Sequence, residues 1–311
     1  MAVTQEQIDL LLNPLVARTF ADGRAGVAER AKRGQFTTEA ADMSSLYDKT
    51  GSVDGITTDI FNFDAAGRVQ QGSPVQVLER NWEARDKFGE IKVGIREVEA
   101  LLNGGDIPRE MSMKPRILAR AYEKFLEQVA ADAFNYGFAA SGKTRHGFNS
   151  VGLFSDTHSI GNQTVDNNLT LALSSANVGT AIDMLDALTD GSGDVAGFTA
   201  DTLMVPTALQ SAAWAIVTEL GAGGNPTYAN YRISNFIVNP YLTDTNAWFV
   251  LDQAAAKEHL AFRSLNGRPS ATDAEVTGYI DHSTRAVVWQ LGRTFDFNWD
   301  DPRFAVGSNP S

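Results

Sequence analysis

One uninterrupted helical pattern constrains this chain more than any other feature. It reads PRILARAYEKFLEQVAADAFNYGF and runs from Pro115 to Phe138. Pro115 suits the first turn of a helix, where the missing N–H has no intrahelical partner to lose. At 1.5 Å per residue, about 24 residues predict a rod of roughly 36 Å. The apolar stripe along this helix, at steps of four, three, four and four residues, consists of Leu118, Tyr122, Phe125, Val129 and Ala133.

Two groups of charged residues are predicted to face solvent for the most part. The group near the N-terminus favours a solvated arm, with a nucleic-acid patch as the alternative. A net charge of −12 over 311 residues argues against a protein whose main function is to bind the phosphate backbone of nucleic acids. The group on the long helix consists of Arg116, Arg120, Glu123, Lys124 and Glu127. The N-terminal group, interrupted by Asp22 and Glu29, consists of Arg18, Arg24, Arg30, Lys32 and Arg33.

The first 45 residues are expected to form a loosely structured arm that packs on something else. They contain one short amphipathic turn, with Ile8, Leu11, Leu12 and Leu15, and no sustained period follows it. The N-terminus has no basic region before its apolar residues, so a signal peptide is not expected.

Residues 46–105 are predicted to be rich in strands and loops. IFNF and VQVLER are short strand candidates, separated by the turn-forming stretch DAAGRVQQGSP. In GEIKVGIRE, Ile91, Val93 and Ile95 alternate with Lys92 and Arg96. This long polar hairpin has little core of its own and would be marginal in isolation, so we expect a partner surface to support it. Deleting residues 67–74 should then weaken contact with that partner surface and leave the rest of the chain folded.

Downstream of the long helix, strand and helix patterns alternate. ANVGTAIDMLDALTD predicts a second helix, and the strand TLMV leads into a third, PTALQSAAWAIVTEL, which Gly221 should terminate. Further strand candidates are RISNFIVN, AWFVLD, AVVWQL and TFDFNW. The last alternates Phe295, Phe297 and Trp299 with Asp296 and Asn298, as a half-buried strand does.

The stretch GFAASGKT, from Gly137 to Thr144, matches the pattern of a phosphate-binding P-loop. A working P-loop needs a buried strand before the glycines and a helix that starts at the Lys-Thr pair. Here a helix end precedes the motif, and the glycine-rich RHGFNSVG follows it. We therefore interpret it as a helix C-terminus that runs into a connector, and a nucleotidase using Lys143 and Thr144 remains the less favoured alternative.

The remaining candidate sites are weaker, and no catalytic, cofactor-binding or metal-binding residue is assigned. The absence of cysteine excludes disulfides and thiolate chemistry, and no apolar run approaches the length of a membrane span. Asp156 and His158 are interpreted as ordering a loop, Ser150 lies one residue off a nucleophile elbow, and Asp300 and Asp301 are attributed to a turn. DGSGD at 190–194 lacks the spacing of a calcium loop. The histidines, none of which are paired at metal spacing, are His146, His158, His259 and His282.

Several short segments, in this order, resemble the major capsid proteins of tailed bacteriophages with the HK97 fold, in particular the Mu-like head subunits. They are GLFSDTHSIGNQTVDNNLT, TLMVPTALQSAAWAIV, VNPYLTDTNAWFVLD and FDFNWDDPRFAVG. The resemblance spans roughly residues 45 to 308. It implies an α+β fold with an N-terminal arm (1–45), an extended loop (46–105), a peripheral domain with a spine helix (106–174), an axial domain (175–262) and a return to the peripheral domain (263–311).

The same resemblance implies a non-enzymatic protein of the virion that assembles with copies of itself. Hexamers and pentamers would form an icosahedral shell, built in the host cytoplasm around double-stranded DNA that it contacts weakly. A separate scaffold protein, a portal and, in some heads, a decoration protein would be its partners, with no cofactor and no membrane. A cellular compartment shell that resembles encapsulins is the alternative that the sequence barely separates from this one.

Overall fold

The computed structural model describes residues 3–28, 31–39, 47–54, 76–83, 85–107, 109–139, 151–160, 163–191, 193–220, 233, 235–264 and 275–310. The helices are α1 (Gln5–Gln7), α2 (Asn13–Ala28), α3 (Ile95–Leu102), α4 (Arg109–Asn135), α5 (Ser175–Asp186), α6 (Gln210–Leu220) and α7 (Gln253–His259), with a π-helical segment (Ile8–Leu12) and 3-10 turns at Arg33–Gln35, Thr207–Leu209 and Pro302–Phe304. The strands are β1 (Thr38–Glu39), β2 (Tyr47–Asp54), β3 (Gln76–Glu83), β4 (Arg85–Gly94), β5 (His158–Ile160), β6 (Gln163–Val165), β7 (Asn168–Leu169), β8 (Thr202–Val205), β9 (Asn235–Val238), β10 (Trp248–Leu251), β11 (Leu260–Ser264), β12 (Glu275–Asp281), β13 (Ala286–Trp299) and β14 (Ala305–Ser308).

The N-terminal segment is helical throughout residues 5–28, so the expectation of a loosely structured arm is wrong. Thr4 begins the helix with a capping box, since its side chain accepts from Gln7 N and the Gln7 side chain accepts from Thr4 N. Gly23 lies inside α2, and a Cβ there would lie 2.9 Å from Arg116 Cα. The glycine therefore allows α2 to approach α4 closely. The buried stripe, at steps of four, is Ile8, Leu12, Val16 and Phe20.

The long helix α4 begins six residues before Pro115, earlier than the sequence indicated. Pro115 therefore lies in the second turn, where its missing N–H leaves Met111 O without the usual intrahelical donor. The side chains of Met111 and Pro115 are both buried. The stripe is also rotated by about one residue, because Leu118, Phe125 and Val129 are only partly buried. The apolar residues that α4 buries fully are Met111, Pro115, Ala119, Tyr122, Leu126, Ala130, Ala131, Ala133 and Phe134.

The first five-stranded sheet is organised around β13. This single strand of 14 residues joins the two candidates AVVWQL and TFDFNW. It pairs antiparallel with β4 along one side, and with β12 and then β11 along the other, while β1 adds to β11 in parallel. Trp289 of β13 thus lies between Ile91 of β4 and Gly278 of β12. The central position of β13 explains why its apolar side chains are buried.

The second five-stranded sheet has the order β7-β14-β10-β8-β9. Strands β8, β10 and β14 are buried along their whole length, and α5 and α6 pack against the sheet. Because β14 pairs with β10 on one side and β7 on the other, residues 305–308 lie between strands from 248–251 and 168–169. The expected boundaries of the peripheral and axial domains stay a prediction.

The extended-loop region divides into two parts. Strands β2 and β3 form an antiparallel two-stranded sheet of their own, with Tyr47 opposite Glu83 and Asp54 opposite Gln76. The candidate strand IFNF, the stretch DAAGRVQQGSP and the proposed deletion 67–74 lie outside the described residues. From residue 85 onwards the chain belongs to the first sheet through β4, and Ile95 starts α3 instead of continuing the strand.

An aromatic cluster at the C-terminal end of α4 joins the spine helix to the second sheet. Phe134 and Phe154 each lie 5.1 Å, between ring centroids, from Phe249 of β10, and Phe138 lies 4.9 Å from Phe154. Aromatic rings at such separations contribute both buried area and favourable ring geometry. The end of α4 is therefore anchored in the core that supports the second sheet.

Candidate functional site

The described part of the P-loop motif, Gly137 to Ala139, follows a helix and not a strand. Gly137 N donates to Phe134 O, and Phe154 N donates to Gly137 O. A Cβ at residue 137 would lie 2.7 Å from the Phe154 ring, so close packing accounts for this glycine without a phosphate. Lys143 and Thr144 lie outside the described residues, as do Ser150 and His146. The interpretation of the motif as a connector stays a prediction.

His158 is buried in a structural role. Its Nε2 lies 3.1 Å from Leu153 O, and its ring packs edge-on to Trp299 at 6.3 Å. Asp156, the neighbour with which it was grouped, is exposed. His282 is exposed in the turn between β12 and β13. Within the described ranges, no three His, Asp or Glu side chains come together in a way that could hold a metal ion.

The sequence patterns did not indicate a partly buried charge cluster that lies beside the β11–β13 ladder. His259 Nδ1 lies 2.8 Å from Asp300 Oδ1, although 41 residues separate them. The pair flanks the first rung of the β11–β13 ladder, Leu260 opposite Trp299. Only the strand register brings these residues together. Asp300 had been attributed to a turn alone, and its ion pair adds to that interpretation.

The ionisation of this cluster follows from burial and pairing. Burial alone would lower the pKa of His259, but the hydrogen bond to Asp300 and the negative charges of Asp301, Asp300 and Glu258 outweigh it and raise that pKa. For Asp301, burial would raise the pKa, but the Arg303 guanidinium outweighs burial and lowers it. Arg303 also donates to Thr189 O at 3.1 Å. The cluster therefore holds its charges paired, and through Arg303 it links the segment between β13 and β14 to the segment that follows α5.

Two arginines of the N-terminal segment contact two carboxylates of α4. Arg24 pairs with Glu123 at 2.5 Å, and Arg33 lies 2.8 Å from Glu123 and 3.2 Å from Glu127. Lys32 N and Arg33 N donate to Glu127 as well. All four of the paired side chains are buried. The prediction that Arg24, Arg33, Glu123 and Glu127 face solvent is therefore wrong, because each buried charge is matched by a partner distant in sequence.

Among the concave surfaces of the described part of the chain, two larger ones border α4. A cleft of about 480 Å³ lies beside this ion-pair network and is bordered by Lys32, Lys124 and Tyr241. An open groove of about 520 Å³ runs between β4 and α4, with Ile91, Lys92, Lys114 and Ile117 along it. Among the residues that border these two surfaces, no nucleophile lies beside a base. Such a pair is the minimum arrangement for covalent catalysis.

The described surface also carries large apolar side chains that are exposed. Ile117 on α4 is 59% exposed and Trp214 on α6 is 62% exposed. Single exposed apolar residues are normal, but groups on helices mark contact surfaces. The full set consists of Leu10, Leu11, Ile107, Met113, Ile117, Val195, Trp214 and Tyr279. Among the helices that the structure describes, none combines the length and the apolar character that crossing a bilayer requires.

Comparisons with known proteins give a family and a fold. The family model described as phage capsid protein matches residues 86–308, more than half of the chain. A search of curated protein sequences found no significant match.

Three solved structures illustrate the fold. The capsid of an empty GTA particle covers 90% of each chain at 10% identity, with a TM-score of 0.53. The capsid of cyanophage P-SCSP1u covers 90% of this chain and 88% of its own at 12% identity, with a TM-score of 0.51. The SrpI encapsulin complex from Synechococcus elongatus PCC 7942 covers 88% and 84% at 9% identity, with a TM-score of 0.50. At these identities the likeness concerns the fold alone.

Proposed function

This chain belongs to the phage capsid protein family and is a shell-forming component of the virion, and from that premise we propose that its copies form hexamers and pentamers of an icosahedral head around double-stranded DNA. The fold is the HK97 fold of phage capsids. The Mu-like branch remains a prediction, as do the domain boundaries. The family is structural, and we propose that the subunit carries out no catalysis.

One observation carries the proposal beyond the family. Strands β2 and β3 pair with each other, and neither pairs with another described strand. A two-stranded sheet is marginal alone in water, so a second surface has to stabilise it. A neighbouring copy of the chain supplies that surface in a shell, which couples folding of the hairpin to assembly. Contacts of this kind between unlike patches generate rings when the rotation closes.

The remaining partners follow from the same proposal. A separate scaffold protein would guide shell closure in the host cytoplasm, a portal would occupy one vertex, and a decoration protein would be optional. The net charge of −12 would keep most of the inner surface from adhering to the genome.

Electron microscopy of negatively stained protein, expressed alone and with its scaffold, tests the proposal. We expect closed particles or free capsomers, and a strictly monomeric protein under every condition would refute it.

Native particles distinguish the encapsulin-like alternative, which a related fold supports. Nuclease-protected DNA inside them supports the head, whereas cargo protein without DNA supports the compartment.

A nucleotide-binding assay with a Lys143→Ala control tests the nucleotidase alternative, which fails if the wild type binds no nucleotide.

A further inference from the structure

Part of the spine helix α4 presents a row of cations to solvent. Arg116, Arg120 and Lys124 are exposed and follow one another at intervals of four residues, about 6 Å along the helix. Arg109, also exposed, precedes Arg116 by seven residues, which places it on the same side two turns earlier. These four residues define the basic face, which extends for about 22 Å along the helix.

The basic face lacks compensating carboxylates for a structural reason. Glu123 and Glu127 lie near the same row, but they are buried against Arg24 and Arg33. The first-turn carboxylate, Glu110, forms an ion pair with Lys114. Among the residues that the structure describes, Arg116, Arg120 and Lys124 form no ion pair. The N-terminal segment thus buries the carboxylates of Glu123 and Glu127, while the cations of the basic face stay exposed.

This face is a local exception on an acidic protein. The chain as a whole has a net charge of −12, and carboxylates far outnumber Lys and Arg between residues 175 and 262. A cationic row on an otherwise acidic subunit attracts a polyanion to that row and repels it elsewhere. The charge distribution therefore favours a polyanion as the ligand and determines which side of the subunit contacts it.

We propose that the basic face contacts the phosphate backbone of packaged double-stranded DNA, an inference that rests on the proposed function and gives the side of the subunit that faces the interior. Duplex DNA carries one negative charge per about 1.7 Å of axis, so a straight row of cations meets phosphates wherever it lies along the duplex. A protein partner would instead need a carboxylate matched to each cation. Three or four cations per subunit make each contact weak and independent of sequence, and repetition over a shell makes the sum appreciable.

The test measures binding of unassembled subunits to a short fluorescent duplex by anisotropy, over a series of salt concentrations. The variant Arg116→Gln/Arg120→Gln/Lys124→Gln removes the row and keeps good helix formers. The matched control, Arg96→Gln/Lys257→Gln/Arg285→Gln, removes the same charge at exposed positions elsewhere.

At low salt we expect the row variant to bind about tenfold or more weakly than the wild type, and its slope of log affinity against log salt to fall by roughly 2 to 3, since each lost phosphate contact removes about 0.9. The control should change affinity by less than about twofold. Unchanged denaturation midpoints establish that both variants fold.

Two results would overturn the inference. One is equal affinity and equal slope for the row variant and the control. The other is a row variant that binds DNA like the wild type but no longer assembles, which would make the face a contact for an acidic protein surface. Both are distinct from failure of the proposed function, which microscopy of the wild type reveals by the absence of shells.

Discussion

The two halves of the spine helix have opposite surroundings. Toward its C-terminus, Leu126 and Phe134 are fully buried, and even the carboxylate of Glu123 is buried. Toward its N-terminus, Met113 and Ile117 are exposed although both are apolar. The helix buries a narrow side near its N-terminus, where Met111 and Ala119 lie in the core, and a wider part of its surface near its C-terminus. The difference lies in what the rest of the chain places upon each half.

The covered half shows how a single chain completes its own core. The N-terminal segment supplies Arg24 and Arg33 to the carboxylates, and the aromatic cluster packs against Phe134. The uncovered half retains apolar and cationic side chains that its own chain leaves exposed. In a shell subunit, such a half is where other molecules complete the structure.

The largest effect is expected at Glu123, on the covered half. Glu123→Ala leaves Arg24 and Arg33 buried with less compensation, which should lower the free energy of unfolding by about 3–5 kcal/mol. Chemical denaturation of the subunit measures it. The exposed Arg120→Ala should change stability by less than about 0.5 kcal/mol, and comparable losses for the two variants would remove the distinction between the halves.

Truncating an apolar side chain of the covered half should lower the free energy of unfolding by a similar or slightly smaller amount than Glu123→Ala. Leu126→Ala leaves a cavity in a fully buried position and should cost about 2–5 kcal/mol. The midpoint of urea unfolding at constant m-value reports the loss. A cost below about 1 kcal/mol would mean that this end of the helix is less tightly packed than its burial indicates.

The charge cluster of His259 extends the comparison to pH. Because pairing with Asp300 raises the pKa of His259, the protonated imidazole stabilises the fold. That stabilisation is complete below the ordinary histidine pKa of about 6.5 and is lost as the pH rises through the raised value. Relative to His259→Gln, the wild type should lose stability as the pH rises through that window. Parallel stability curves for the two proteins would contradict the assignment.

The smallest effect on subunit stability is expected on the uncovered half. Ile117→Ser should change the free energy of unfolding by less than about 0.5 kcal/mol, yet reduce the yield of closed particles, because exposed apolar side chains on a helix mark a contact surface. Sedimentation separates particles from free subunits. Leu118→Ser, at the partly buried neighbour, is the control and should reduce stability itself.

The sequence predicted many of the local elements correctly, since their signals are local. The helical period over 115–138 lies within or just beyond α4, and TLMV, AWFVLD and the helix after Pro206 lie where the patterns indicated. The start of α4 and the helix over residues 5–28 were missed. Pro115, which was predicted to lie in the first turn, and Gly23, a residue of low helix propensity, are both accommodated by packing against other elements.

The sequence by itself determined the family and much of the order of helices and strands, because periodicity and short motifs are properties of neighbouring residues. It could not determine which charges are buried, since Arg24 meets Glu123 across 99 residues and His259 meets Asp300 across 41. Burial is decided by which surfaces the fold brings together, and a charged side chain has the same local pattern whether its partner is water or an opposite charge. Only the tertiary structure could therefore show that Glu123 and Glu127 of the spine helix are buried whereas Arg116, Arg120 and Lys124 are exposed.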